Sequence, residues 1–128
     1  MKETRVPDAE LAVLKALWTD GPLTVRDLAE RLYPGGGPSE HATVQKLLER
    51  LLTRKCVRRK RGGRAHVWSA AVARQDLIRD RLREAADKLC EGSLTPLLTE
   101  LVHAGKLAPK EIAELRRLID ELPAEGGA

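Results

Sequence analysis

The sequence predicts a mainly α-helical protein with one small β-hairpin, on three observations. The AVILMFWYC set supplies 42% of the 128 residues, which is enough to build a core. Aromatic residues supply only 2%, and Phe is absent, so that core must come from Leu, Val, Ile and Ala. Such a core suits helices better than a β-sandwich. Most of the chain also carries apolar residues at helical spacing.

Several classes of protein are not expected. No apolar run approaches the roughly 18–20 residues of a membrane span. The stretch from Met1 to Pro7 lacks the apolar region of a signal peptide, so we expect a cytoplasmic protein. Two cysteines, Cys56 and Cys90, are too few for a disulfide framework in a chain of this size.

Charge is distributed unevenly along the chain. Residues 1–74 carry 15 Lys and Arg against 8 Asp and Glu, a net charge of +7. Residues 75–128 carry 8 against 11, a net charge of −3, which accounts for the total of +4. No acidic residue occurs between Arg50 and Gln75. The two parts are therefore expected to have different partners.

Three short helices are predicted in the basic part. The first runs from Asp8 to Trp18 and is stopped by Asp20-Gly21-Pro22. Thr24 and Asp27 resemble a capping box that opens the second helix. Ser39 is the expected N-cap of the third, which runs to about Arg54 and turns Val44, Leu47, Leu48, Leu51 and Leu52 inward.

A basic hairpin should follow the third helix. Residues 56–61 and 64–68 read as two short strands, and the Gly62-Gly63 pair between them is a two-residue turn signal. His66 is expected to hydrogen-bond within the hairpin. Trp18 and Trp68 are expected to pack in the core or at the domain junction.

The remaining chain is purely helical in pattern. One helix starts near Ala73 and ends at Gly92, a short one ends near Gly105, and the last has Pro109 in its first turn. A frayed tail is expected from Pro123. This divides the chain into residues 1–72 and residues 73–128.

Three helices followed by a basic hairpin describe a winged helix-turn-helix, with a recognition helix at about 39–54 and a wing at 57–68. The helix should enter the major groove of DNA and the wing should contact phosphates. The alternative is that the basic run is only a solvated face. The predicted DNA-binding residues are His41, Ala42, Thr43, Lys46, Arg50, Arg58, Lys60, Arg61 and Arg64.

The C-terminal helices are too few to bury much surface alone. They either pair with a second copy, which would let two winged helices bind two half-sites, or fold back on the N-terminal domain. We favour an isologous homodimer with a C-terminal helical dimerisation domain. Its predicted contact residues are Ile78, Leu82, Leu89, Leu97, Leu98, Leu101, Ile112, Leu115, Leu118, Ile119 and Leu122.

Four segments carry a family resemblance: Thr24-Val25-Arg26-Asp27, Thr43-Val44 with Leu47-Leu48, Gly63-Arg64-Ala65-His66-Val67-Trp68, and Leu107-x-Pro109-Lys110-Glu111-Ile112. With these segments the sequence resembles the penicillinase repressor family, of the BlaI/MecI type. It implies a dimeric bacterial transcriptional repressor of a palindromic operator. In several members, a membrane sensor triggers proteolysis of the repressor.

This chain departs from the family at several positions. The Asn-Phe bond cleaved in β-lactamase regulators would fall near Glu100-Leu101, but the chain contains no Phe and no Asn. That absence argues against control by a sensor protease. Lys55 stands where a C-capping glycine is usual. Ala42-Thr43 replaces two threonines and Lys46 a short polar residue, so the operator sequence does not transfer.

Other chemistry has weaker support. The three histidines and two cysteines lack metal-ligand spacing, and no catalytic arrangement is identifiable, so we expect no metal, no cofactor and no enzymatic activity. Lys55, Arg58 and Arg59 could lower the thiol pKa of Cys56, although a half-buried structural role is favoured. The alternative functions are a ligand- or redox-sensing regulator and a helical interaction module that does not touch DNA.

Overall fold

The computed structural model describes residues 6–105 and 107–122, and the predicted tail from Pro123 lies outside them. The observed mixture of helices with one two-stranded antiparallel hairpin confirms the predicted fold class. In chain order the elements are α1 (Asp8–Asp20), α2 (Val25–Leu32), α3 (Pro38–Thr53), β1 (Val57–Gly62), β2 (Ala65–Ala70), α4 (Arg74–Leu89), α5 (Thr95–His103) and α6 (Pro109–Asp120).

The chain forms two compact units, one ending at Arg81 and the other beginning at Leu82. The first unit includes the first half of α4 because Leu77 belongs to its core and the Arg81 guanidinium donates to the Val6 carbonyl at 2.7 Å. The predicted boundary at residue 73 separates two functions, and it stays a prediction.

The core of the first unit is aliphatic around one tryptophan. Trp68 is 1% exposed, which confirms the expected core role for this side chain. Helices α1, α2 and α3 contribute one buried stripe each, since apolar residues recur at helical spacing. Their fully or almost fully buried residues are Val13, Leu14, Leu17, Leu28, Val44, Leu47, Leu48 and Leu51.

A single β-bridge, which the sequence did not predict, joins Leu23 to the hairpin. Leu23 donates its backbone N–H to the Trp68 carbonyl at 2.9 Å, and Trp68 returns a hydrogen bond to the Leu23 carbonyl at 2.8 Å. A single bridging residue between two helices produces no periodic pattern, so the sequence contains no signal that predicts this bridge. The bridge attaches β2 to the segment between α1 and α2.

The helix starts follow the predicted chemistry in one case and depart from it in another. Thr24 and Asp27 form the expected capping box, with hydrogen bonds of 3.1 and 3.2 Å. The predicted Ser39 N-cap is wrong, because α3 already begins at Pro38 with Gly37 as its N-cap. The Glu40 carboxylate accepts the Gly37 N–H at 2.8 Å, and proline is favoured in a first helical turn.

The hairpin turn lies one residue later than predicted. Gly62 remains in β1 and pairs with Ala65, so the two turn residues are Gly63 and Arg64. Gly63 has a φ of +71°, as required at the first central position of a type II′ turn. The second central position has a negative φ in that turn type, which explains why Arg64 fits there.

The recognition helix ends in a Schellman motif. The Lys55 N–H bonds to the Leu52 carbonyl and the Cys56 N–H to the Leu51 carbonyl, each at 2.9 Å. This pattern places Lys55 at the position that favours glycine, with a φ of +66°. The left-handed conformation is costly for a residue with a Cβ atom. Lys55, which stands where a C-capping glycine is usual, is therefore conformationally strained.

A partly buried ion pair lies at the end of α3. Glu10 on α1 is 2% exposed and accepts a hydrogen bond from Nε of Arg54 at 3.0 Å. Cys56 is buried beside this pair. Burial raises the pKa of the Cys56 thiol, Arg54 opposes that rise and Glu10 adds to it. The thiol pKa therefore shifts in the opposite direction from the one that a reactive cysteine needs.

Trp18 attaches the start of α4 to α1. Its indole N–H donates to the Val72 carbonyl at 2.8 Å, and the Arg74 guanidinium lies 5.3 Å from the ring centroid. Trp18 thus packs where the hairpin leads into α4, close to the junction expected from the sequence.

We expect Lys55→Gly to stabilise the protein by about 1 kcal/mol, because glycine adopts a positive φ without a Cβ penalty. Urea unfolding followed by circular dichroism measures the change. The matched control is Lys15→Gly, in the interior of α1, which should destabilise by about 1 kcal/mol. A Lys55→Gly variant no more stable than the parent would contradict the assigned strain.

We expect thiol reagents to modify half-buried Cys90 before Cys56 in the native protein, since burial keeps the Cys56 thiol protonated. Because its folded-state pKa is raised, Cys56 stabilises the fold below its ordinary pKa of 9.0, and that contribution is lost as pH rises above this value. Iodoacetamide labelling with peptide mass spectrometry gives the order, and urea should equalise the rates. Equal alkylation rates of Cys56 and Cys90 in the absence of urea would refute the expected order of modification.

Candidate nucleic-acid interface

The polar face of α3 is exposed along its length. Its buried residues Val44, Leu47, Leu48 and Leu51 occupy one side of the helix. The opposite side presents the predicted DNA-binding residues of this helix, and each of them is exposed: His41, Ala42, Thr43, Lys46 and Arg50. The major groove of DNA is wide enough to admit an α-helix. A helix with one buried apolar face can present its opposite polar face to the base edges there.

Local hydrogen bonds already orient two polar side chains of this face. The Thr43 hydroxyl donates to the Ser39 carbonyl at 3.1 Å, a local hydrogen bond that competes with donation to DNA. Its oxygen can still accept a hydrogen bond, and its methyl group remains a contact surface. The Gln45 amide donates to the Glu49 carboxylate at 3.4 Å.

The wing presents basic side chains on both faces of the hairpin. Arg58 and Lys60 alternate with Arg59 and Arg61, so each pair shares one face of β1. Arg64 lies in the turn, at the tip. The four wing residues predicted to bind DNA are all exposed: Arg58, Lys60, Arg61 and Arg64.

Two residues of the hairpin have roles that the register decides. Arg59 lies opposite Trp68, and its guanidinium is 5.6 Å from the indole centroid, so it covers the core tryptophan. His66 lies opposite Arg61 and is exposed. The hairpin therefore does not enclose His66 as the sequence-based hypothesis of an internal hydrogen-bonding role supposed.

The acidic residues near this surface are few and partly engaged. Glu40 caps α3 through Gly37, and Glu10 pairs with Arg54. Glu49 is the acidic residue that remains exposed on the polar face of α3. From residue 51 to residue 75 the sequence contains no acidic residue, so the wing has an unopposed positive charge.

An open cleft of about 620 Å³ lies between α2 and the start of α3. His41, Ala42 and Gln45 line it from α3, and Arg26 and Tyr33 line it from the α2 side. Arg26 and Tyr33 were not among the predicted site residues, because no sequence spacing links positions on separate helices. The cleft extends the polar face of α3 toward α2.

The residues predicted to form the dimer contact are largely exposed apolar side chains. Ile78 belongs to the first unit and is 45% exposed, and Leu89 in the second unit is 78% exposed. Leu97 and Leu115 are half-buried. The other exposed members are Leu82, Leu98, Leu101, Ile112, Leu118, Ile119 and Leu122.

Metal-ligand clusters and membrane-spanning helices are both absent from residues 6–105 and 107–122. In that range no group of three or more His, Cys, Asp or Glu side chains is arranged to hold a metal ion. Every helix in the same range is too short or too polar to cross a membrane.

Two relatives match almost the whole chain, and one solved domain structure matches part of it. The penicillinase repressor of Bacillus licheniformis is 23% identical over 120 residues, covering 94% of this chain and 93% of that protein. The transcriptional regulator BlaI of Mycobacterium tuberculosis is 33% identical over 131 residues, covering 98% and 91%. A solution structure of the DNA-binding domain of the repressor BlaI is 22% identical, with a TM-score of 0.48, and covers 59% of this chain and 93% of that domain.

A family-wide comparison agrees with these individual matches. Residues 6–121 match the family model described as penicillinase repressor, which spans all eight elements of the fold. The match includes both the hairpin-containing unit and the helices after it. The chain therefore belongs to the penicillinase repressor family.

Proposed function

We propose that this protein represses transcription as a homodimer, with α3 of each copy in successive major grooves of a palindromic operator. The coarser part follows from family membership, since the chain is a BlaI-type transcriptional repressor with a DNA-binding domain. Repression would result from occluding RNA polymerase.

The exposure of the predicted DNA-binding residues carries the proposal. All nine are exposed, and they occupy only α3 and the hairpin. Six of them are basic, and the wing among them has no acidic residue within its own sequence. Such a surface matches the negative charge of a phosphate backbone, whereas a general solvated face would mix both signs.

The wing supplies affinity, and α3 supplies sequence discrimination. Arg58, Lys60, Arg61 and Arg64 are charged donors suited to phosphate oxygens. The short polar side chains of α3, by contrast, can approach base edges in the groove. This division of labour predicts different effects of substitution on the two elements.

Pairing would come from the apolar residues of α4, α5 and α6. Leu89, Leu118, Ile119 and Leu122 are each about half exposed or more. Leu118 and Ile119 lie near the end of α6, and Leu122 follows two residues after the helix ends. Exposed apolar side chains in such a group are typical of a contact surface. Pairing would fix the distance between two α3 helices to a helical turn of DNA or a multiple of it.

Release from the operator by cleavage at Glu100-Leu101 is not part of the proposal. The bond lies inside α5, and the sequence there has neither Asn nor Phe. A redox-sensing mode through Cys56 gains no support either, because this thiol is buried with a raised pKa.

We expect Arg64→Ala to weaken binding to every DNA sequence and to reduce the slope of log affinity against log salt concentration by about one unit. Arg64 lies in the exposed turn, so the fold should be retained. Fluorescence anisotropy on duplex DNA across a salt series measures the slope, with Arg83→Ala on α4 as the control. An unchanged slope would remove Arg64 from the phosphate contacts.

We expect Leu118→Asp to produce monomers and weaker operator binding, because a carboxylate would be desolvated in the proposed contact. Leu115→Asp should act in the same direction. Sedimentation velocity measures the assembly state, and Ala113→Asp, at another position around α6, is the matched control. An intact dimer of the Leu118→Asp variant would favour the alternative in which the C-terminal helices fold back.

A further inference from the structure

Gln45 and Glu49 form the one side-chain pair of the polar face of α3 for which a direct hydrogen bond is described. The two residues are one helical turn apart, and the Gln45 Nε2 donates to a Glu49 carboxylate oxygen at 3.4 Å. Because an ionised carboxylate only accepts hydrogen bonds, the pair fixes which end of the Gln45 amide points toward Glu49.

This orientation leaves a specific set of groups available. A glutamine amide has two N–H donors and one carbonyl acceptor. One donor is used by Glu49, so one N–H and the Oε1 remain available. Adenine presents the complementary pair in the major groove, with N7 as an acceptor and N6–H₂ as a donor. A bidentate contact with adenine can therefore form while the hydrogen bond to Glu49 is kept.

The position of Gln45 suits a base contact. It is half-buried and lines the same cleft as His41 and Ala42, two of the predicted DNA-binding residues. Residues 41, 42 and 45 share one side of α3, since residues three and four apart on a helix are neighbours. A base edge that meets His41 and Ala42 would thus be within the reach of the Gln45 side chain.

Glu49 would otherwise be out of place on a surface meant for DNA. It is exposed and acidic on the same face as Lys46 and Arg50. The negative charge of Glu49 repels phosphates, and a role in orienting the Gln45 amide would offset this unfavourable effect. Glutamate can itself accept from the N4 amino group of cytosine, which is the competing way to use this residue.

We infer that Gln45 is a specificity-determining residue that reads adenine in each half-site, and that Glu49 is the positioning residue that orients its amide. This inference rests on the proposed function, because it supposes that α3 enters the major groove.

Selection from a pool of random-sequence double-stranded DNA tests it, with the full chain and sequencing of the bound fraction. The parent should enrich adenine at one position in each half-site. Gln45→Ala should abolish that enrichment, retain the others, and lower the affinity for the selected duplex about tenfold. Gln75→Ala, at an exposed glutamine of α4, removes the same group elsewhere and should select the parental sequence.

Two substitutions at Glu49 separate positioning from charge. Glu49→Ala and Glu49→Gln both remove a negative charge, so both should tighten binding to unselected DNA. Only Glu49→Gln keeps an acceptor for the Gln45 amide, so it should retain the adenine preference that Glu49→Ala loses in part. Circular dichroism melts check that every variant is folded.

Three outcomes would overturn the inference. Gln45→Ala could select the parental sequence, the two Glu49 variants could show the same adenine preference, or Glu49→Ala could lose a cytosine preference while Gln45→Ala changes nothing. The proposed function fails separately, if the parent binds no DNA in a salt-dependent way. Salt-dependent binding together with an unchanged Gln45→Ala preference would overturn the inference alone.

Discussion

The burial of one face of α3 is the constraint on which the first unit depends. Val44, Leu48 and Leu51 have no measurable exposure, and Leu47 has only 5%. Because these residues recur at helical spacing, burying them turns His41, Lys46 and Arg50 outward without any further requirement. The same packing that stabilises the domain thus forms its candidate DNA-binding surface.

Two energetically costly features stabilise the junction between α3 and the hairpin: a strained backbone conformation and a buried carboxylate. Lys55 keeps a left-handed conformation so that the Schellman hydrogen bonds can form, and Glu10 is buried so that it can pair with Arg54. Glu10 is buried and Arg54 is a quarter exposed, so removing Arg54 would leave a buried carboxylate without this partner, at a cost that approaches about 3 kcal/mol for a fully buried pair. It also engages Arg54, which is one of the residues of the basic run. Not every basic residue of that run is therefore equally available to phosphates.

The two units have opposite surface chemistry, in keeping with the division of charge along the chain. The first buries its leucines and exposes arginine and lysine on α3 and the hairpin. The second leaves Leu89, Leu118 and Ile119 exposed and carries more acidic than basic residues. An acidic second unit would be repelled by phosphates, so the electrostatics favour DNA contact through the first unit.

The sequence by itself determined the helices, the basic hairpin and the outward stripe of α3, because each depends on periodicity or on a local signal such as the Thr24 capping box. The tertiary structure alone decided three other matters: the Leu23–Trp68 bridge, the pairing of Glu10 with Arg54, and the placement of Arg59 over Trp68. The first two join residues more than 40 positions apart, and the third depends on strand register. Local sequence patterns carry no information about long-range pairing or strand register, because both are set by how the elements pack. The same reason explains why the cleft shared by Tyr33 and Gln45 became visible only in the folded chain.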